Sequence, residues 1–68
     1  MKLTVEYEHE DDGRWLAEVL ELPGVLVYGA SAEEAVTRAK ALALRVLADR
    51  LEHGEVVSDL ADIRFTAA

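Results

Sequence analysis

The run Val25-Leu26-Val27-Tyr28-Gly29-Ala30-Ser31-Ala32-Glu33-Glu34-Ala35-Val36 decides the fold, because within it the side-chain period changes. Val25 to Tyr28 is a short, β-branched strand closed by Gly29. Ser31-Ala32-Glu33-Glu34 is a capping box: the Ser31 hydroxyl accepts from the backbone N–H of Glu34, whose carboxylate reaches back. From there to Glu52 no Gly or Pro interrupts, and alanine and leucine dominate. Gly54 supplies the left-handed residue that ends a helix, with His53 beside the negative end of its dipole. The signals predict a helix over Ala32–Glu52. Ala32, Ala35, Val36, Ala39, Leu42, Ala43, Val46 and Leu47 form its apolar stripe, and alanine in the first half lets it lie close to a sheet. Leu44 and Leu51 sit off that stripe, and Ala41 and Ala48 extend the apolar arc beyond them.

Upstream, Lys2 to Glu8 alternates, with Leu3, Val5 and Tyr7 on one face and Lys2, Thr4, Glu6 and Glu8 on the other. His9-Glu10-Asp11-Asp12-Gly13 ends in the Asp-Gly pair of hairpin turns. Arg14 to Glu21 is a second strand, with Trp15, Ala17 and Val19 facing one way and Leu16, Glu18 and Leu20 the other, broken by Pro23-Gly24. Three strands joined by short turns predict an antiparallel meander. Downstream, Glu55 to Leu60 carries no decisive pattern, and Asp62-Ile63-Arg64-Phe65-Thr66 reads as a fourth strand with Ile63 and Phe65 inward. The order is β-β-β-α-β: an α+β domain spanning 1–68 with its helix on one sheet face.

Sixty-eight residues make one small core, and with no cysteine neither a disulfide nor an all-cysteine zinc site is available. Seven basic residues against fourteen acidic ones give a net charge of −7. Phosphate binding needs clustered Lys and Arg, so direct contact with nucleic acid or anionic lipid is disfavoured, and a basic protein partner is the complement. No apolar run approaches the roughly 20 residues of a membrane span, and a cytoplasmic protein is expected.

Catalytic and metal chemistry finds little footing. Glu8-x-Glu10-x-Asp12-Gly13 imitates the opening of a calcium loop, but its twelfth position is Val19 rather than a bidentate Glu. His9 and His53 are too few and too differently placed for zinc. Ser31 is claimed by the helix cap, and Ser58 has no histidine positioned to activate it. Gly24 and Gly29 flank a strand and do not cradle a phosphate. A two-metal nuclease site could be nominated from Glu6 or Glu8, Glu33 or Glu34, and Asp59 or Asp62, but the chain lacks bases to hold a polyanionic substrate. No catalytic, cofactor-binding or metal residue is therefore assigned.

The run from Asp12 to Val25 (Asp12-Gly13-Arg14-Trp15-Leu16 through Leu22-Pro23-Gly24-Val25), then Gly29-Ala30-Ser31-Ala32-Glu33-Glu34-Ala35 and Ala39-Lys40-Ala41, resembles the HicB-like antitoxin family. The shared pattern is an acidic-glycine hairpin, an aromatic on the second strand, a Leu-Pro-Gly turn, and Gly-x-Ser/Thr-x-Glu-Glu-Ala entering a helix. It covers roughly Tyr7 to Leu47. The resemblance implies a truncated RNase H-like fold whose catalytic carboxylates are not maintained. It also implies a basic HicA-like ribonuclease toxin, neutralised by protein–protein contact. Many members add a C-terminal DNA-binding domain; fourteen residues follow Gly54, and a short single-domain form without one is expected.

Two surfaces are expected to carry function. The acidic residues Glu8, Glu10, Asp11 and Asp12 would meet the basic partner, with Trp15 or Tyr28 as anchors where exposed, although Trp15 alternates with core residues and is expected under the helix. Leu16, Leu20, Leu26 and Tyr28 on the uncovered sheet face, with Leu44 and Leu51 on the helix, would form the interface of a homo-oligomer, most simply a dimer. The alternatives are a vestigial or active metal-dependent nuclease, and a homo-oligomeric domain whose assembly is its main property.

Overall fold

The computed structural model describes residues 1–57, 60 and 62–68. Strands β1 (Lys2–His9), β2 (Trp15–Val19) and β3 (Leu26–Gly29) precede helix α1 (Ala32–Glu52), and β4 (Arg64–Ala67) follows it. The sheet order is β3-β2-β1-β4, with β1/β2 and β2/β3 antiparallel and β1/β4 parallel. Both β3 and β4 run parallel to β1, so α1 carries the chain from one sheet edge, past β2 and β1, to the other. The result is an α+β fold: a mixed sheet with one helix on one face.

Alanine sets how closely that helix approaches. Ala35, Ala39 and Ala43 are completely buried against the sheet, with Leu47 continuing the stripe. At Gly29 the first turn of α1 comes so near that a Cβ would sit 2.5 Å from the backbone nitrogen of Ala35. The core beneath is Leu3, Val5, Ala17, Val19, Leu22 and Val25, with Trp15, Val27, Ile63 and Phe65 half-buried around it. Leu22 lies in the Leu-Pro-Gly turn, outside any alternating pattern, and Val25 closes that turn just ahead of β3 while keeping the inward parity of Val27. β2 ends at Val19, short of Glu21, because the turn folds back: Leu22 N–H donates to the Val19 carbonyl, Val25 N–H to that of Leu22, and Val19 N–H to that of Val25.

Both helix ends follow their sequence signals. Glu34 N–H donates to Ser31 Oγ at 3.1 Å, and the Glu34 carboxylate accepts from Ala30 N–H at 3.1 Å. At the other end Gly54 has φ +78, its N–H donates to the Leu51 carbonyl, and Glu55 N–H reaches the Arg50 carbonyl. This is the Schellman pattern, which satisfies carbonyls the helix leaves open.

The helix lies over β2 and β3 more than over β1. Tyr7, expected under it, is 49% exposed at the hairpin end of β1. There Tyr7 tilts against Trp15, whose other ring neighbour is a stacked His9, centroids 4.5 Å apart. Lys40 stands over the Phe65 ring at 5.7 Å. The undecided stretch after Gly54 begins as irregular chain, with Val56 fully in solvent.

Candidate functional site

The sheet face opposite α1 is assembled by register. β1 pairs with β2 so that Glu6 faces Glu18 and Glu8 faces Leu16; β2 pairs with β3 so that Leu16 faces Tyr28 and Glu18 faces Leu26. Two rows cross the open face: Glu8–Leu16–Tyr28 and Glu6–Glu18–Leu26. An acidic half thus lies over β1 and the centre of β2, and an apolar half over β2 and β3. Leu20 extends the apolar half beyond the end of β2 at 48% exposure, and Leu26 (47%) and Tyr28 (38%) are comparably open, while Leu16 is half-buried. Arg14 lies over the Tyr28 ring, 4.1 Å from its centroid.

Among the described residues no basic side chain pairs with Glu6, Glu8 or Glu18. The nearby Arg14 is engaged by Asp12 at 2.8 Å and by the Tyr28 ring. Lys2 and Arg64 sit opposite each other at the far end of the strands, and Arg64 is held by Asp62. Like charges directly across a strand pair cost some tenths of a kcal/mol, so the Glu6–Glu18 pair works against the sheet that carries it.

The acidic residues expected to meet a partner divide between two places. Glu8 belongs to the open face. Glu10, Asp11 and Asp12 form the hairpin tip, where Gly13 has φ +91 and Glu10 N–H donates to the Arg14 carbonyl. Asp12 accepts from Arg14 N–H at 3.0 Å and from Arg14 Nε at 2.8 Å. Those bonds, the backbone one foremost, hold its carboxyl below the usual range. Asp12 therefore braces the turn. Glu6 and Glu18 are the face's further carboxylates, and sequence reading alone did not join them. The signal was present in the turn: a hairpin closed at Glu10–Arg14 with His9 opposite Trp15 forces Glu6 opposite Glu18.

The nominated nuclease acids are not brought together. Glu6 and Glu8 lie on the open face, Glu33 and Glu34 start the helix on the other, and Asp62 pairs with Arg64 at 2.6 Å. Ser58 and Asp59 lie outside the described residues. Among the described residues no three His, Cys, Asp or Glu side chains are arranged to hold a metal ion. His53 contacts Asp49 at the helix end. The hollow between Glu6, Glu8, Leu16 and Glu18 measures about 110 Å³, well under the ~300 Å³ at which small-molecule pockets begin. A face of this shape presents side chains to a surface rather than enclosing a ligand. Leu44 and Leu51, 47% and 46% exposed, are on α1 and away from this face. No helix among the described residues is long and apolar enough to cross a membrane. No protein-family model, no curated protein and no solved structure matches the chain.

Proposed function

We propose that the chain is a non-catalytic, cytoplasmic binding module of the HicB antitoxin type, which holds and silences a basic HicA-like ribonuclease toxin on the open face of its sheet. The observation that carries this reading is the unneutralised triplet Glu6, Glu8 and Glu18 beside the exposed Leu20, Leu26 and Tyr28. Carboxylates without internal partners attract a cationic protein and steer its approach, and adjacent apolar side chains supply the buried contact that charge alone does not. The β-β-β-α-β order and the net charge of −7 support the same reading.

The test is to look for a basic HicA-like chain in the neighbouring reading frame and to measure its binding by calorimetry and by protection of RNA from it; the lack of any such chain that binds would sink the reading. Tight binding that weakens at least tenfold in Glu6→Lys with Glu18→Lys, and that falls with added salt, is the expected result. A complex indifferent to both substitutions and to salt would remove the open face from the account. Alone, with Mg²⁺ or Mn²⁺, the protein should leave RNA and DNA intact. Cleavage abolished by Glu6→Gln, Glu8→Gln or Asp62→Asn would restore the nuclease reading.

A further inference from the structure

A second surface lies on the outward side of α1. Ala41, Leu44, Ala48 and Leu51 are all exposed, and their spacing of three, four and three is that of two heptads of coiled-coil seam. At about 100° per residue this seam lies roughly 140° around the helix from the buried Ala35–Ala39–Ala43–Leu47 stripe, so it points away from the chain's own sheet. From Ala41 to Leu51 the helix is thus apolar on two nearly opposite sides, and the domain's own sheet covers one of them.

We infer that this seam is the contact between two copies of the chain, packed as antiparallel helices about a two-fold axis. The sequence of the seam is complementary to itself in that direction: Ala41 falls opposite Leu51 of the other copy and Leu44 opposite its Ala48. Each small side chain meets a large one in every layer. A parallel pairing sets alanine on alanine and leucine on leucine, leaving gaps beside crowded layers. On the flanks, antiparallel packing brings Glu52 of each copy toward Arg38 of the other, which within its own chain also contacts Glu34 at 3.3 Å and donates to the Tyr28 carbonyl at 3.1 Å. Arg45 meets its own copy near the axis and is the one opposing pair, at a solvated rim where screening is strong. The open sheet face does not compete for this role, because stacking two copies there would gather six carboxylates, Glu6, Glu8 and Glu18 from each. Helix pairing leaves that face free on the outside of the dimer. A seam about 15 Å long buries less than the roughly 1,200–2,000 Å² of standard interfaces, so the dimer dissociates at low concentration.

The inference stands independently of the toxin partner and is tested without one. Sedimentation equilibrium of the full chain from about 1 to 100 micromolar should show a concentration-dependent rise from 7.5 kDa to twice that mass. Leu44→Glu and Leu51→Glu should each return the monomer with an unchanged helical circular dichroism signal, while Leu26→Glu on the sheet leaves the dimer in place. The chain has no cysteine, so direction can be read by cross-linking. A mixture of the Ala41→Cys and Leu51→Cys chains should form the mixed disulfide, and Ala41→Cys alone should not cross-link, its two copies being roughly 15 Å apart. A monomer throughout the range, a dimer lost in Leu26→Glu but kept in Leu44→Glu, or ready Ala41→Cys self-cross-linking would each overturn the inference.

Discussion

Gly29 shows how one missing side chain fixes the geometry of the whole layer. Its φ is unremarkable, so the requirement is space: the backbone of Ala35 and the carbonyl carbon of Glu34 lie where a Cβ would go. Neither neighbour is the flexible end of a side chain, so the helix itself must move. Gly29→Ala should therefore cost about 3 kcal/mol by overpacking and lower the melting temperature by more than about 10 °C, whereas Ala30→Gly one residue later should cost far less. Glu21 acts at the same scale. Its carboxylate accepts from Thr4 Oγ1 and from Thr4 N–H, both at 2.7 Å, extending the β1–β2 pairing past the point where β2 ends. Those bonds, the hydroxyl's foremost, hold its carboxyl below its ordinary value of 4.5. A carboxyl depressed on folding stabilises the fold above its unfolded value, and that contribution is lost as pH falls through the folded one. Glu21→Ala should cost about 0.5–1 kcal/mol at pH 7, a charged hydrogen bond discounted for its exposure. Melting curves of parent and variant should converge once the pH is well below 4.5; a difference unchanged there would mean that Glu21 acts by packing.

At the scale of elements, α1 is the part most fully written in the chain. Its start rests on Ser31 and Glu34 and its end on Gly54, and the observed bounds, Ala32–Glu52, coincide with those signals. Ser31→Ala should cost about 1 kcal/mol, or roughly 4–8 °C in melting temperature for a domain of this size, and Ser31→Asp should restore most of it. The strands were legible for a related reason: a period of two in Lys2–Glu8 and around Ala17 survives any tertiary arrangement. What the chain did not disclose is what depends on lateral placement. Tyr7 carries the same alternation as Val5, but the helix sits toward β3, and nothing in a period of two says which strand a helix will favour. Leu22 entered the core through a turn, where periodicity has no meaning and only the closure of the Leu-Pro-Gly loop decides, whereas Val25 follows from its alternation with Leu26. The candidate face was half legible. Glu8, Leu16, Leu26 and Tyr28 follow from alternation, but joining Glu6 to Glu18 requires the hairpin register. Asp12 belongs to the turn because Arg14, two residues on, is near enough to claim it.

At the scale of the whole molecule, the distribution of charge sets stability against binding. A sheet selected for stability alone would not place Glu6 directly opposite Glu18, with Glu8 two residues along the same strand and diagonal to Glu18, on a chain already at −7. Among the described residues these three carboxylates have no internal partner, while Glu34, Asp12 and Glu21 are each committed to a cap, a turn or a strand end. If the open face serves a basic partner, neutralising one of the opposed pair should have two effects of opposite sign. Glu18→Gln removes a cross-strand repulsion and keeps the side chain's shape, so the isolated protein should gain a few tenths of a kcal/mol and melt some 1–3 °C higher. That gain should shrink in molar salt, where charges beyond about 3 Å are screened. The complex with the basic chain should weaken severalfold in the same variant, chiefly through slower association at low salt. Thr4→Val, which lies on the same face but carries no charge, should lower stability and leave partner association unchanged. Loss of both stability and binding in Glu18→Gln would mean that its carboxylate supports the fold, and the opposition of charges on this face would then need a structural explanation in place of a functional one.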